Sequence, residues 1–242
     1  MRRRVTGVSS VGFSSVLAIA LTIAPPPHAL ARASAAFHED FSELRFGEWL
    51  APPSEGWVLR GAMMIENVPQ PDGKVGPVLT TRGLFGGERV IFPVTLATSL
   101  ASFHFDADFQ RVAAIIDSAL MWHVNVDPAT GAQRYYQAVI LHGAKPGVSP
   151  TLRIQYVEES ERFERGFTVV TLAETHGPTI TPEGWHHWQV RSEGSNLDEF
   201  VVSLDGVDLL SARDQRLTSG RFGVRVGLDL TRWDNIDITT AP

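Results

Sequence analysis

The sequence predicts an all-β protein built from antiparallel layers, as a sandwich or a barrel. Short apolar runs, β-branched or aromatic and bounded by Gly, Pro or Asp, recur about every 8–15 residues. No long stretch sustains a helical period, and no internal repeat is present. The stretch from Gly184 to Ser211 shows the pattern most clearly. His186, Trp188 and Val190 alternate there with His187, Gln189 and Arg191, the period of a strand with one buried and one wet face.

The elements follow in chain order. Phe37 to Phe41, Trp49 and Gly56 to Leu59 are apolar bursts broken by Pro52-Pro53, as expected for an edge strand entering a sandwich. Residues 68–77 form a turn-rich loop, followed by strands over 89–94 and 99–105. Residues 112–125 carry some helical propensity in their first half but alternate in the second, so a strand is expected from Ile115 onward. Asp127 to Gly131 is a turn by composition. Strands are expected over 134–142, 151–157 and 167–173, with a charged connection over 158–166. Phe200, Val202 and Leu204 share one face of the next strand. Asp205-Gly206 then makes a tight hairpin, because Asp tolerates positive φ and Gly adopts it freely. Such a turn sets Leu204 against Val207 and Val202 against Leu209. Residues 221–230 and 232–238 supply the last strands.

The N-terminus reads as an export signal rather than part of the fold. Arg2-Arg3-Arg4 is a basic start, Val11 to Ala24 an apolar segment too short to span a bilayer, and Pro25-Pro26-Pro27 a helix stop. Cleavage-site spacing occurs at His28 to Ala31 and at Ala33 to Ala35. We take residues 1–35 as the signal peptide and 36–242 as a single domain, periplasmic or extracellular, with no membrane span after cleavage. Cysteine is absent, so the core must hold the fold without disulfides. The net charge of -6 and the lack of a basic, aromatic-laced stripe argue against a nucleic-acid partner.

Several segments in fixed order carry a family resemblance. They are Glu39-Asp40-Phe41, Gly56-Trp57, ALMWHVN at 119–125, RYYQAVIL at 134–141, GWHHWQV at 184–190, VSLDG at 202–206, SGRFGVRV at 219–226 and RWDNIDI at 232–238. The chain resembles the concanavalin A-like lectin/glucanase superfamily, and most nearly its laminin-G-like and 3-keto-disaccharide-hydrolase-like bacterial exported domains. Trp233 departs from the family's usual Phe before Asp-Asn. The resemblance implies an antiparallel jelly-roll β-sandwich. It also implies a structural Ca²⁺ on the convex side, with Asp40 and Asp234 at the matching positions. Hard oxygen ligands suit that ion.

Candidate chemistry is sparse. Glu159, Glu161 and Glu164 approach the carboxylate spacing of laminarinase-type members, but Ser160 and Arg162 stand where that family has buried apolar residues. The segment reads as a solvated charged turn. No compact set of metal-binding histidines and no serine elbow occurs. His186 falls on the apolar face, as a hydrogen-bonded core histidine does. With Trp122, Tyr136, Ile154, Trp188, Val202 and Val224 turned inward, the opposite side carries His123, Asn125, Gln137, Arg153, Gln155, His187, Gln189, Arg191 and Arg225. Amides and imidazoles suit sugar hydroxyls, and arginines suit uronate or sulfate. The expected ligand site on a concave sheet is therefore His123, Asn125, Gln137, Arg153, Gln155, Gln189 and Arg225. The leading function is a lectin-like domain binding an oligosaccharide or polysaccharide. A glycoside hydrolase resembling the 3-keto-disaccharide hydrolases and a laminin-G-like protein-interaction module are the alternatives, so enzymatic activity stays open.

Overall fold

Alternation of apolar and polar side chains resolves into fifteen strands among the described residues. They are β1 (Ser34–Glu39), β2 (Val58–Arg60), β3 (Ala62–Pro69), β4 (Val75–Arg82), β5 (Glu88–Leu96), β6 (Ser102–Ala113), β7 (Asp117–Val126), β8 (Gln133–Leu141), β9 (Thr151–Glu159), β10 (Phe167–His176), β11 (Trp185–Ser192), β12 (Glu199–Leu204), β13 (Val207–Arg213), β14 (Gly220–Gly227) and β15 (Leu230–Ala241). The structure, a computed structural model, describes residues 34–43, 58–82, 88–96, 102–113, 117–141, 149–160, 166–178, 180, 184–192, 199–227 and 230–241. All belong to one unit, Arg32–Pro242. The predicted leader up to residue 33, Trp49, Gly56, Trp57, His142, Glu161 and Glu164 lie outside the described residues. Among the described residues there is no helix.

The strands form two antiparallel sheets, as the predicted fold class requires. One has the order β13-β12-β11-β6-β15-β4-β3, with β1 added on β15. The other has the order β10-β9-β8-β7-β14-β5-β2. The facing sides pack into one apolar cluster that includes Trp122, Tyr136, Ile154, Trp188, Val202 and Val224, the six residues expected inward. Aromatic rings fill much of the space between the sheets: Trp188 stacks on Trp233 at 6.5 Å, and Phe200 meets Tyr136 at 4.9 Å.

Some details differ from the sequence reading. β6 runs on through Val112 and Ala113, where helical propensity competed with strand. Pairing with β15, where Ala113 faces Leu230, overrides that weak preference. The Asp205-Gly206 turn forms with φ of 51° and 77°. Leu204 faces Val207, but a bulge after Val202 sets Leu210, not Leu209, opposite it. β1 opens at Ser34, which pairs with Thr240, so the strand begins two residues inside the predicted leader.

Candidate functional site

The register lays the outer side of the seven-stranded sheet out in transverse rows. Val126, Gln133, Glu159 and Phe167 form one row across β7, β8, β9 and β10. Further along the strands lie Tyr135, Val157 and Val169, and then Met121, Gln137, Gln155 and Thr171. Arg89, Arg225, Ala119, Val139, Arg153 and Glu174 continue the face.

This face curls into a trough whose floor is filled by its own side chains: Ile91, Met121, Val124, Tyr135 and Val157 form a second buried cluster there, with Gln137 and Gln155 buried beside it. Arg89 on β5 donates from Nη1 to Gln133 Oε1 and from Nη2 to Glu159 Oε1, both at 2.6 Å. Arg60 on β2 donates from Nη1 to the same Glu159 oxygen at 2.9 Å. β5 and β9 are four strand positions apart, roughly 19 Å in a flat sheet. An Arg and a Glu side chain together cannot span that distance, so the sheet must be coiled with this side concave. The Tyr135 hydroxyl donates to the other Glu159 oxygen at 3.2 Å, and the Arg89 guanidinium lies 5.9 Å from the Tyr135 ring centre. Burial pushes the Glu159 carboxyl up, but hydrogen bonding to Arg89, with Arg225 and Arg60 beside it, outweighs that and holds it below its ordinary range.

At one end the trough opens into a cleft of about 920 Å³. Gln133 and Glu159 form part of its lining, with the Asn125 to Pro128 turn and the Gly166 to Thr168 strand start. Two of its apolar side chains are open to solvent, Phe167 at 53% and Val126 at 37%. A half-open ring above polar amides and carboxylates offers both contacts a sugar ring uses: an apolar face and hydroxyl partners.

The expected site residues scatter over four places. Gln137, Arg153, Gln155 and Arg225 share the trough face. Gln137 Nε2 donates to Gln155 Oε1 at 2.8 Å, Arg153 pairs with Glu174, and Arg225 Nη1 pairs with Asp117 at 2.7 Å. Asn125 stands at the cleft and donates to the carbonyls of His123 and Ser219. His123 departs from expectation. It lies on the same side as Trp122, buried at 3% among Phe103, Tyr136 and Phe200. A bulge between Trp122 and Asn125 and a φ of 51° turn it inward. Its Nδ1 faces the Leu217 carbonyl at 3.0 Å, and burial pushes its pKa down to about 4. Gly220 accommodates this bulge: a Cβ there would lie 2.5 Å from the His123 carbonyl carbon.

Gln189 departs as well. It sits on the outer side of the other sheet, so it cannot join the trough residues. Alternation tells which side of a strand is wet, not which sheet the strand enters. His187 and Arg191 go with it. Asp208, Ser203, Gln189, Asp106, Asp237 and His38 form a polar row across β13, β12, β11, β6, β15 and β1. Hydrogen bonds to Asp106 and Asp108 keep the His187 imidazolium charged, pushing its pKa up to about 10. His186 packs against Phe109 and reaches Asp205 Oδ2 at 2.8 Å.

Arg60, Arg89, Gln133 and Phe167 escaped the sequence reading, which places Glu159 on a solvated charged turn. Glu159 belongs to β9 and is buried, rather than lying on a solvated turn. Its signal was the continued alternation Arg153, Gln155, Val157, Glu159, all on one side.

The two expected calcium ligands differ in environment. Asp234 is 1% exposed; burial first, and then the Asp108 and Asp40 carboxylates, push its pKa up to about 6. Asp40 caps its own turn through the Ser42 amide at 3.0 Å. No group of three or more His, Asp or Glu residues able to hold a metal occurs among the described residues. The buried, repelled carboxylate of Asp234 fits a cation; Asp40 as placed offers it little.

Solved structures share this architecture. The carbohydrate-binding module CBM66 from Bacillus subtilis matches with a TM-score of 0.53 at 17% identity, over 76% of this chain and 96% of that one. An endo-β-1,4-glucuronan lyase from the fungus Trichoderma reesei matches with a TM-score of 0.52 at 13% identity, over 86% and 96%. The carbohydrate recognition domain of Emp47p matches with a TM-score of 0.50 at 12% identity, over 87% and 97%. These likenesses show the fold, a β-sandwich shared with lectins and carbohydrate-binding modules. No family model and no curated protein matches the chain.

Proposed function

We propose that the protein is an exported glycan-binding domain that takes an oligosaccharide or polysaccharide in the cleft at the open end of the trough. The observation that carries this reading is Phe167, 53% exposed in one row with Gln133 and Glu159. The neighbouring folds that bind or act on carbohydrate support it. Binding is favoured over cleavage by the state of the carboxylates. A glycosidase needs an acid with a raised pKa beside a second carboxylate. Glu159 is held ionised, with both oxygens engaged by Arg60, Arg89 and Tyr135. Asp127 is turned onto the Ala129 and Thr130 amides, and Glu158 accepts from the Tyr156 hydroxyl at 2.6 Å.

The N-terminal leader is cut after Ala31 in this reading, because that site leaves β1 whole. A calcium ion beside Asp234 completes it. The test is titration of the protein with a panel of oligosaccharides, followed by Phe167→Ala. Binding to at least one glycan is expected, with affinity falling about tenfold or more in the variant, equivalent to about 1.4 kcal/mol. The melting temperature should stay unchanged, since Phe167 is half open. Binding that survives Phe167→Ala intact overturns the placement.

A further inference from the structure

We infer that the cleft selects neutral glycans, with Gln133 as donor and Asn125 as acceptor to their hydroxyls. This rests on the glycan-binding reading of the same cleft and names the class of sugar it takes.

Both residues line the cleft and are half-buried, within reach of a ligand there. Each amide is pinned at one end by a partner that fixes which way it points. Gln133 Oε1 accepts from Arg89 Nη1 at 2.6 Å. A guanidinium only donates, so the oxygen faces Arg89 and Nε2 is left for a ligand. Asn125 Nδ2 donates to the His123 and Ser219 carbonyls at 3.0 and 2.9 Å. Carbonyls only accept, so here Oδ1 is left. The two stand in neighbouring rows, Gln133 opposite Val126 and Asn125 opposite Arg134. The cleft thus offers a fixed donor and a fixed acceptor, with the open ring of Phe167 in the same lining. A sugar hydroxyl both donates and accepts, so hydroxyls of one ring can satisfy the pair while its apolar side covers Phe167.

Charge argues against an ionised sugar. Glu159 is met by Arg60 and Arg89. Arg134 has two carboxylates near it. Glu158 stands opposite it in the register, and Asp127 is held below the ordinary carboxylate range by the Ala129 and Thr130 amides and then by the Arg134 charge. Among the described residues, Asp127, Glu158 and Glu159 are therefore balanced by Arg60, Arg89 and Arg134. A ligand carboxylate or sulfate meets an arginine already shared between two carboxylates, and a ligand ammonium competes with that arginine. Either charge gives up its water for a weak partner, a cost that neutral hydroxyls do not carry.

The experiment is calorimetric titration of the full chain with three pools of equal length: neutral, uronate and amino-sugar oligosaccharides. The neutral pool should bind about tenfold tighter than either charged pool, with an affinity that sodium chloride leaves unchanged. Gln133→Glu keeps an acceptor for Arg89 and removes only the donor. It should hold the melting temperature and weaken neutral binding about tenfold. Single-position deoxy analogues of the tightest neutral binder give a readout that a merely structural role does not move. One position should cost about tenfold in the unaltered protein and nothing further in Gln133→Glu. A charged pool that binds as tightly as the neutral one, or neutral binding that weakens with salt, overturns this inference and leaves the glycan reading standing. No binding by any pool overturns both. Deoxy analogues that all bind like the parent, or a deoxy loss that persists in Gln133→Glu, overturn the assignment to Gln133.

Discussion

His123 shows how far a single position can depart from its sequence pattern. Counting by twos from Trp122 sends it outward. The bulge adds a residue and a positive φ, and it brings the ring into the aromatic core. Neither His123 nor Val124 is a residue that announces such a bend, so the inversion was not legible. Its consequence is measurable. Between pH 4 and 6.5 folded His123 binds fewer protons than unfolded His123. Its contribution is full above 6.5 and is lost as pH falls toward 4, by up to about 3 kcal/mol. Asp234 works the other way. Its folded pKa of about 6 lies above the ordinary 3.8, so its contribution is full below 3.8 and is lost as pH rises to 6. The two oppose each other across the same window. Asp234→Asn removes one side, and its urea midpoint should fall more steeply than that of the unaltered protein from pH 6.5 to 4. Parallel curves contradict the buried-charge account of both residues.

At the scale of elements, local grammar was legible and long-range assignment was not. The Asp205-Gly206 turn, β7 through β9 and the inward set of Trp122, Tyr136, Ile154, Trp188, Val202 and Val224 could all be read from alternation. Gln189 could not be placed, because its strand joins β6 and β12 in the second sheet, a pairing set by residues some 80 positions away. Arg60 and Arg89 were missed for the same reason: their partner Glu159 lies 99 and 70 residues off. The closing strand β15 raises a separate prediction. It pairs with β1 through Ile236 to Thr240, and Asp234 sits just before that pairing, its pKa raised by burial and then by the Asp108 and Asp40 carboxylates. A cation bound at Asp234, as proposed above, would neutralise this repulsion and stabilise the folded state. Added calcium should raise the melting temperature and a chelator should lower it, with both effects absent in Asp234→Asn. An unchanged melt on chelation removes the metal from the account.

The whole molecule presents two unlike outer faces on a shared aromatic core. One is the polar row from Asp208 to His38, whose side chains largely satisfy one another. The other is the trough, closed at its depth by Arg89 and Glu159 and open at the Phe167 end. A β-sandwich hosts many activities, so function has to come from the face rather than the fold. The most direct measurement is a nuclear magnetic resonance titration of the labelled protein with its tightest-binding oligosaccharide. Amide shifts should concentrate in residues 124–134, 157–160 and 166–169. Shifts confined to β6, β11 and β15, on the opposite face, would contradict the trough as the place where this protein meets its ligand.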